Sequence, residues 1–172
     1  MGVFKAVLFM LVLAAAGAGK AMAQQSEVIA SISIDEVSEI LDSFGWQPEI
    51  LTDDDGGRID LIMIKVGEIT SFVRMMECSD AIRRRCHSFL LYANWDLGGR
   101  INENFATLLN QYNDGTPVGR AYYISKPDQA ADQMGIDLHV RLHGGVTIAH
   151  VRQEAMLWED VINQFMAMFR QE

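Results

Sequence analysis

The sequence lacks most of what catalysis needs. No nucleophile is paired with a base, no Gly-x-Ser-x-Gly elbow occurs, and the carboxylates are dispersed rather than coupled by spacing. No glycine-rich loop cradles a phosphate. Basic residues are scarce, with 14 Lys and Arg against 23 Asp and Glu in 172 residues and a formal charge of −9. A surface of that sign repels a phosphate backbone and excludes nucleic acid as a partner. Only two cysteines occur, Cys78 and Cys86, with neither Cys-x-x-Cys spacing nor a second ligand pair for zinc. Beyond residue 23 there is no long apolar run, so no stable membrane insertion is expected from the rest of the chain. Low-complexity tracts and internal repeats are also missing. Neither an enzyme nor a cofactor or metal protein is expected.

What is present begins with an address. Lys5 precedes an apolar run from Ala6 to Gly19, and the small-residue tripeptide Ala21-Met22-Ala23 stands before Gln24. These are the three parts of a secretory signal, with cleavage expected after Ala23. The competing reading is a retained anchor, but fourteen apolar residues fall short of the roughly 20 needed to cross the hydrocarbon. Without Lys5 and Lys20, 12 basic residues face 23 acidic ones, a formal charge of −11. The expected product is a periplasmic or secreted single domain over residues 33–170, preceded by a flexible stretch at 24–32.

The rest alternates between two periodicities. Ser33 and Glu36 form a capping box, and Ile34, Val37, Ile40, Leu41 and Phe44 share a helical face until Gly45 stops it. After Pro48, the runs 49–52, 59–66, 70–77 and 87–94 are short and β-favouring. A second helix carries Ile101, Phe105, Leu108, Leu109 and Tyr112 on one face. Two strands follow, 118–125 and 134–142, the second with Met134, Ile136, Leu138, Val140 and Leu142 towards the core. A last helix, capped by Thr147, repeats Ile148, Val151, Ala155, Trp158, Ile162, Phe165 and Phe169.

Each candidate site has a plainer alternative. Cys78 and Cys86 end one strand and start the next, so in an oxidising compartment they are expected to form a disulfide, against a redox or metal-binding pair. Arg83, Arg84 and Arg85 lie at the tip such a bridge would hold, a candidate partner contact or simply a solvated turn. Met156 and Met166 widen the apolar face of the last helix, as a partner surface or as core filling. The turn Asp53-Asp54-Asp55-Gly56-Gly57 gathers oxygen ligands but carries Arg58 and Ile64 where a calcium loop needs glycine and glutamate. His139 and His143 lie about 13 Å apart along a strand at ~3.3 Å per residue, too far to share a metal without a sharp bend.

The order of these elements resembles the YbjN family. The likeness is carried by Cys78 and Cys86 around a short loop, by Leu108-Leu109-Asn110-Gln111-Tyr112-Asn113, by Gly119-Arg120-Ala121-Tyr122, by Ile136-Asp137-Leu138 leading to Gly144-Gly145, and by Trp158. Ile124 to Asp128 departs from the shorter turn of the family pattern. Members are described as bacterial sensory transduction regulators with an architecture like that of type III secretion chaperones. The resemblance implies an α+β fold, an antiparallel sheet of five to six strands with three helices in the order α-β-β-β(-β)-α-β-β-α. It implies a non-enzymatic module for an unidentified protein or peptide, often a homodimer. A small-molecule sensor or carrier is the alternative, and no catalytic residues are transferred.

Overall fold

The computed structural model describes residues 27–79, 84–99, 103–125 and 132–169. The expected signal peptide, the loop 126–131, Arg83 and Ile101 lie outside these residues, as does the side chain of Phe169. The chain runs β1 (Val28–Ile29), α1 (Ile34–Asp42), β2 (Glu49–Thr52), β3 (Arg58–Val66), β4 (Ile69–Cys78), β5 (Cys86–Asp96), α2 (Glu103–Gly115), β6 (Arg120–Ile124), β7 (Gln133–Arg141), β8 (Val146–Thr147) and α3 (Ile148–Phe169). Strands β2 to β7 form one antiparallel sheet of six strands in the order β2-β3-β4-β5-β7-β6. The expected α+β architecture with three helices is the one observed.

Local chemistry explains the helix starts. The Ser33 side chain accepts from the Glu36 backbone N–H while the Glu36 carboxylate accepts from the Ser33 backbone N–H at 2.7 Å, closing the capping box. Gly45, with φ of 80°, takes the left-handed position that ends this turn. The Thr147 hydroxyl accepts from the His150 backbone N–H at 3.1 Å at the start of α3.

Alternation assigns the two faces of the sheet. Ile62, Ile64 and Val66 on β3, Val73 and Met75 on β4, Phe89, Leu91 and Ala93 on β5, and Ile136, Leu138 and Val140 on β7 are buried. They meet Val37, Ile40 and Leu41 of α1, Leu109 and Tyr112 of α2, and Val151, Ala155, Trp158, Ile162 and Phe165 of α3 in one core. Trp95 stacks on Phe165 with centroids 5.5 Å apart, and Arg152 of α3 lies over the Phe44 ring that follows α1. All three helices therefore cover the same face. The residues between the buried ones, Leu61, Met63, Phe72, Met76, Leu90 and Tyr92, are only half-buried on the other face. Among the described residues no helix or strand covers them.

One stretch differs from expectation. The segment expected as a flexible start carries β1, whose Val28 and Ile29 pair with Thr147 and Val146, and Ile32 is fully buried and bridged to Cys86. Two backbone hydrogen bonds and an apolar side chain offset the entropy of ordering so few residues.

Candidate functional site

The hairpin between β4 and β5 brings Cys78 opposite Cys86, and the two form a disulfide. Beyond it, the Ser79 backbone N–H donates to the Arg85 carbonyl at 2.9 Å. The two described arginines of the tip are already engaged. Arg84 pairs with Asp60 at 2.6 Å. Arg85 donates to the Ser31 hydroxyl at 3.0 Å and the Ser31 carbonyl at 2.7 Å, and reaches Glu36 at 3.1 Å. Arg85 thus ties the N-terminal segment and the cap of α1 to the hairpin. Burial raises the Glu36 carboxyl, but the Ser33 hydrogen bonds and Arg85 outweigh it and hold that carboxyl below its ordinary value. Ser33, Asp35, Arg58, Asp60, Arg84 and Arg85 surround an open cleft of about 430 Å³. Each of these arginines already has a carboxylate, Arg58 with Asp35, Arg84 with Asp60 and Arg85 with Glu36 just outside the lining, which weakens any pull on a free anion.

The methionines of α3 divide. Met156 is 57% exposed beside Arg152, Leu157 and Asp160, whereas Met166 packs against the core. One is surface and the other chiefly filling, so together they do not form one patch.

The histidines gather more closely than their spacing suggests. His87 on β5 stacks on His143 after β7 with centroids 5.5 Å apart, because β5 and β7 are neighbours. The His143 Nε2 lies 2.8 Å from the Glu77 carboxylate, which also accepts from the Ser88 hydroxyl at 2.9 Å. Those two bonds, His143 first, hold the Glu77 carboxyl below its ordinary value. The order of this trio is wrong for a nucleophile: the carboxylate sits between serine and histidine, no imidazole takes the hydroxyl proton, and Ser88 is fully buried. Among the described residues no group of three or more His, Cys, Asp or Glu side chains is placed to hold a metal ion. The Asp53 turn closes on itself, with the Asp53 carboxylate accepting from the Gly57 and Asp55 backbone N–H groups at 2.7 and 3.1 Å. This is the polar hairpin turn that glycine and aspartate favour.

The uncovered face of the sheet was not singled out from sequence, and it carries a connected set of ring, cation and hydrogen-bond contacts. Phe72 and Tyr92, cross-strand neighbours, stack at 5.6 Å, and the Arg74 guanidinium lies 5.3 Å over the Tyr92 ring. Next in the same row, Asp137, buried on β7, accepts from Arg120 at 2.6 Å. The Tyr122 hydroxyl donates to Asn94 at 2.6 Å, and its ring lies across Gly135, where a Cβ would come within 2.6 Å of the ring carbon that bears the hydroxyl. Burial, then the charge of Asp137 and the neighbouring Tyr92, push the Tyr122 hydroxyl up to about 12, so it remains a donor at any ordinary pH. Burial first, and then Arg141, lower the His139 imidazole below its ordinary value. The alternation of β5 and β7 could have flagged this surface, since Leu90 and Tyr92 are large apolar residues on the strand face opposite Phe89 and Leu91.

The space between sheet and helices is filled by Trp158, Phe89 and Phe165, all at most 1% exposed. The clefts of about 390 to 460 Å³ lie at the surface rather than in this interior. No helix among the described residues is long and apolar enough to cross a membrane.

Comparison with known proteins agrees with the topology. No curated protein matches the chain. A solved structure, the crystal structure of YbjN from E. coli, described as "a putative transcription regulator", superposes with a TM-score of 0.58 at 11% identity. The alignment covers 83% of this chain and 91% of that one, a likeness that establishes the fold alone. The family model whose description is "Putative bacterial sensory transduction regulator" matches residues 33–171. On that match, which takes in the sheet, all three helices and the disulfide hairpin, the chain belongs to the YbjN family.

Proposed function

We propose that this protein is an exported, non-enzymatic interaction module that docks a protein partner on the uncovered face of its sheet. The observation that carries this reading is the one-sided covering of a six-stranded sheet, which leaves Leu61, Met63, Phe72, Met76, Leu90 and Tyr92 half-buried across three adjacent cross-strand rows with Arg74 among them. Apolar patches of this kind, rimmed by polar groups, mark interaction sites more often than idle surface. Aromatic and arginine side chains are the types that dominate binding energy where they are present. The description of the family as a sensory transduction regulator, and of its structural relative as a transcription regulator, fits a role exercised through binding. Export is supported by the leader pattern of residues 1–23 and is compatible with the Cys78–Cys86 disulfide.

The test is affinity capture from the cell envelope with tagged protein, comparing wild type with Leu90→Glu and Met156→Glu. Loss of the captured partner with Leu90→Glu and its retention with Met156→Glu is the expected result, both variants keeping wild-type circular dichroism. Equal capture by all three would remove the sheet face from the reading. Export is checked separately: thiol labelling of denatured, unreduced protein from the envelope fraction should find no free cysteine.

A further inference from the structure

The neighbouring strands β6 and β7 differ in length, and the difference leaves a gap. Strand β7 has nine residues, yet β6 pairs only with Gln133 to Asp137. The remaining residues, Leu138 to Arg141, have β5 on one side and, among the described residues, no strand on the other. The chain cannot extend β6 into that space, because Gly119 precedes Arg120 with φ of 79° and turns the backbone away. Beside the unpaired edge lies an open cleft of about 460 Å³, lined by Gly119, Arg120, Leu138, His139, Arg141 and Glu154. An edge of this kind presents alternate N–H and C=O groups ready for a ladder.

We propose that this gap is a strand-addition slot that takes an extended, acidic segment of a partner protein. The proposal rests on the interaction reading above and names the partner's chemistry. A strand laid against Leu138 to Arg141 would span about 13 Å at ~3.3 Å per residue. Its alternate side chains would stand beside Arg120, His139 and Arg141 on the uncovered face, where a carboxylate complements Arg141, Arg120 being already paired with Asp137. The intervening side chains would face Leu138, Val140 and α3, where small apolar groups fit. A second copy of this chain is the poorer occupant, because antiparallel pairing of two such edges sets His139 and Arg141 against the same two residues and offers Arg141 no carboxylate. Backbone pairing supplies affinity and the alternating side chains supply selection.

Fluorescence anisotropy with the purified, oxidised chain tests this, using a labelled six-residue peptide of alternating Glu and Val and the matching Lys and Val peptide. Two further Glu-Val peptides carry N-methyl groups on one or the other alternate set of residues. The Glu-Val peptide should bind saturably, the Lys-Val peptide should not, and Arg141→Glu should weaken binding at least about tenfold, some 1.4 kcal/mol. Only one strand edge faces β7, so methylating one set should weaken binding by about tenfold or more and methylating the other should leave it within about threefold. Equal binding of both methylated peptides would show charge attraction without a ladder and overturn the slot, as would equal binding of the Lys-Val peptide or no saturable binding. If the peptides fail while Leu90→Glu still abolishes partner capture, the slot falls and the docking face stands.

Discussion

The two faces of the sheet are built from one set of strands and have opposite character. On the covered face, Leu91, Ile136, Trp158 and Phe165 are wholly shielded, and the helices above them are acidic outside. Helix α1 carries Asp35, Glu36, Glu39 and Asp42, α2 carries Glu103 and Asp114, and α3 carries Glu154, Glu159 and Asp160 against the single arginine Arg152. On the uncovered face, Phe72, Leu90 and Tyr92 keep part of their surface in water, and Lys65, Arg74, Arg120 and Arg141 stand with Glu49, Asp96 and Asp137. The chain's negative charge is thus unevenly spread. On the proposed reading, the acidic helical side would turn an acidic partner away and the sheet face, where Glu77 also stands beside Ser88 and the charges nearly balance, would not, which would bias orientation before contact.

The covered face carries the stability, and the first way to break the comparison is there. Trp158→Ala should cost about 3–5 kcal/mol in chemical denaturation, as for a large core aromatic. A loss below about 1 kcal/mol would show that the core relaxes around the gap, and that the two faces are less different than burial implies. The next largest effect belongs to the bridge that borders both faces. Replacing Cys78 and Cys86 together by Ser should cost about 2–3 kcal/mol through the entropy of the unfolded chain, and reduction of the wild type should cost the same. On the uncovered face, Phe72→Ala should cost no more than about 1 kcal/mol, the usual worth of a cross-strand pair. A loss matching that of Trp158→Ala would show that the two faces are buried to a similar degree.

The smallest effect sharpens the contrast through pH. Glu77 is depressed in the folded chain, chiefly by its bond from His143 and then by Ser88. A depressed carboxyl stabilises above its unfolded value, and that contribution is lost as pH falls through the folded one. Wild type should therefore exceed Glu77→Gln in thermal midpoint at neutral pH, and the difference should shrink as pH drops below the ordinary glutamate range of about 4. A difference that grows in acid would place the bond elsewhere.

Much of this architecture was legible in the residues. The capping box of Ser33 and Glu36, the stripe from Val151 to Phe165 and the alternation of Met134 to Leu142 each announce an element, because helix and strand periods are set by the local backbone. The cysteine pair was legible too, once the two runs flanking it were read as one hairpin. The candidate site was less so. Arg85 reads as a solvated loop residue, yet it bridges Ser31 and Glu36 because the N-terminal segment returns to the hairpin. His87 and His143 are 56 positions apart in sequence and stack only because β7 inserts between β5 and β6.

The sequence by itself determined which segments are helix or strand, which side chains of each are apolar, and which two sulfurs could meet, since these follow from neighbours a few residues away. Only the tertiary structure decided that all three helices pack on one side, that β7 outruns β6 by four residues at one end, and that the arginines line the exposed side. Those outcomes depend on strand order and on contacts distant along the chain, where no local period carries the information.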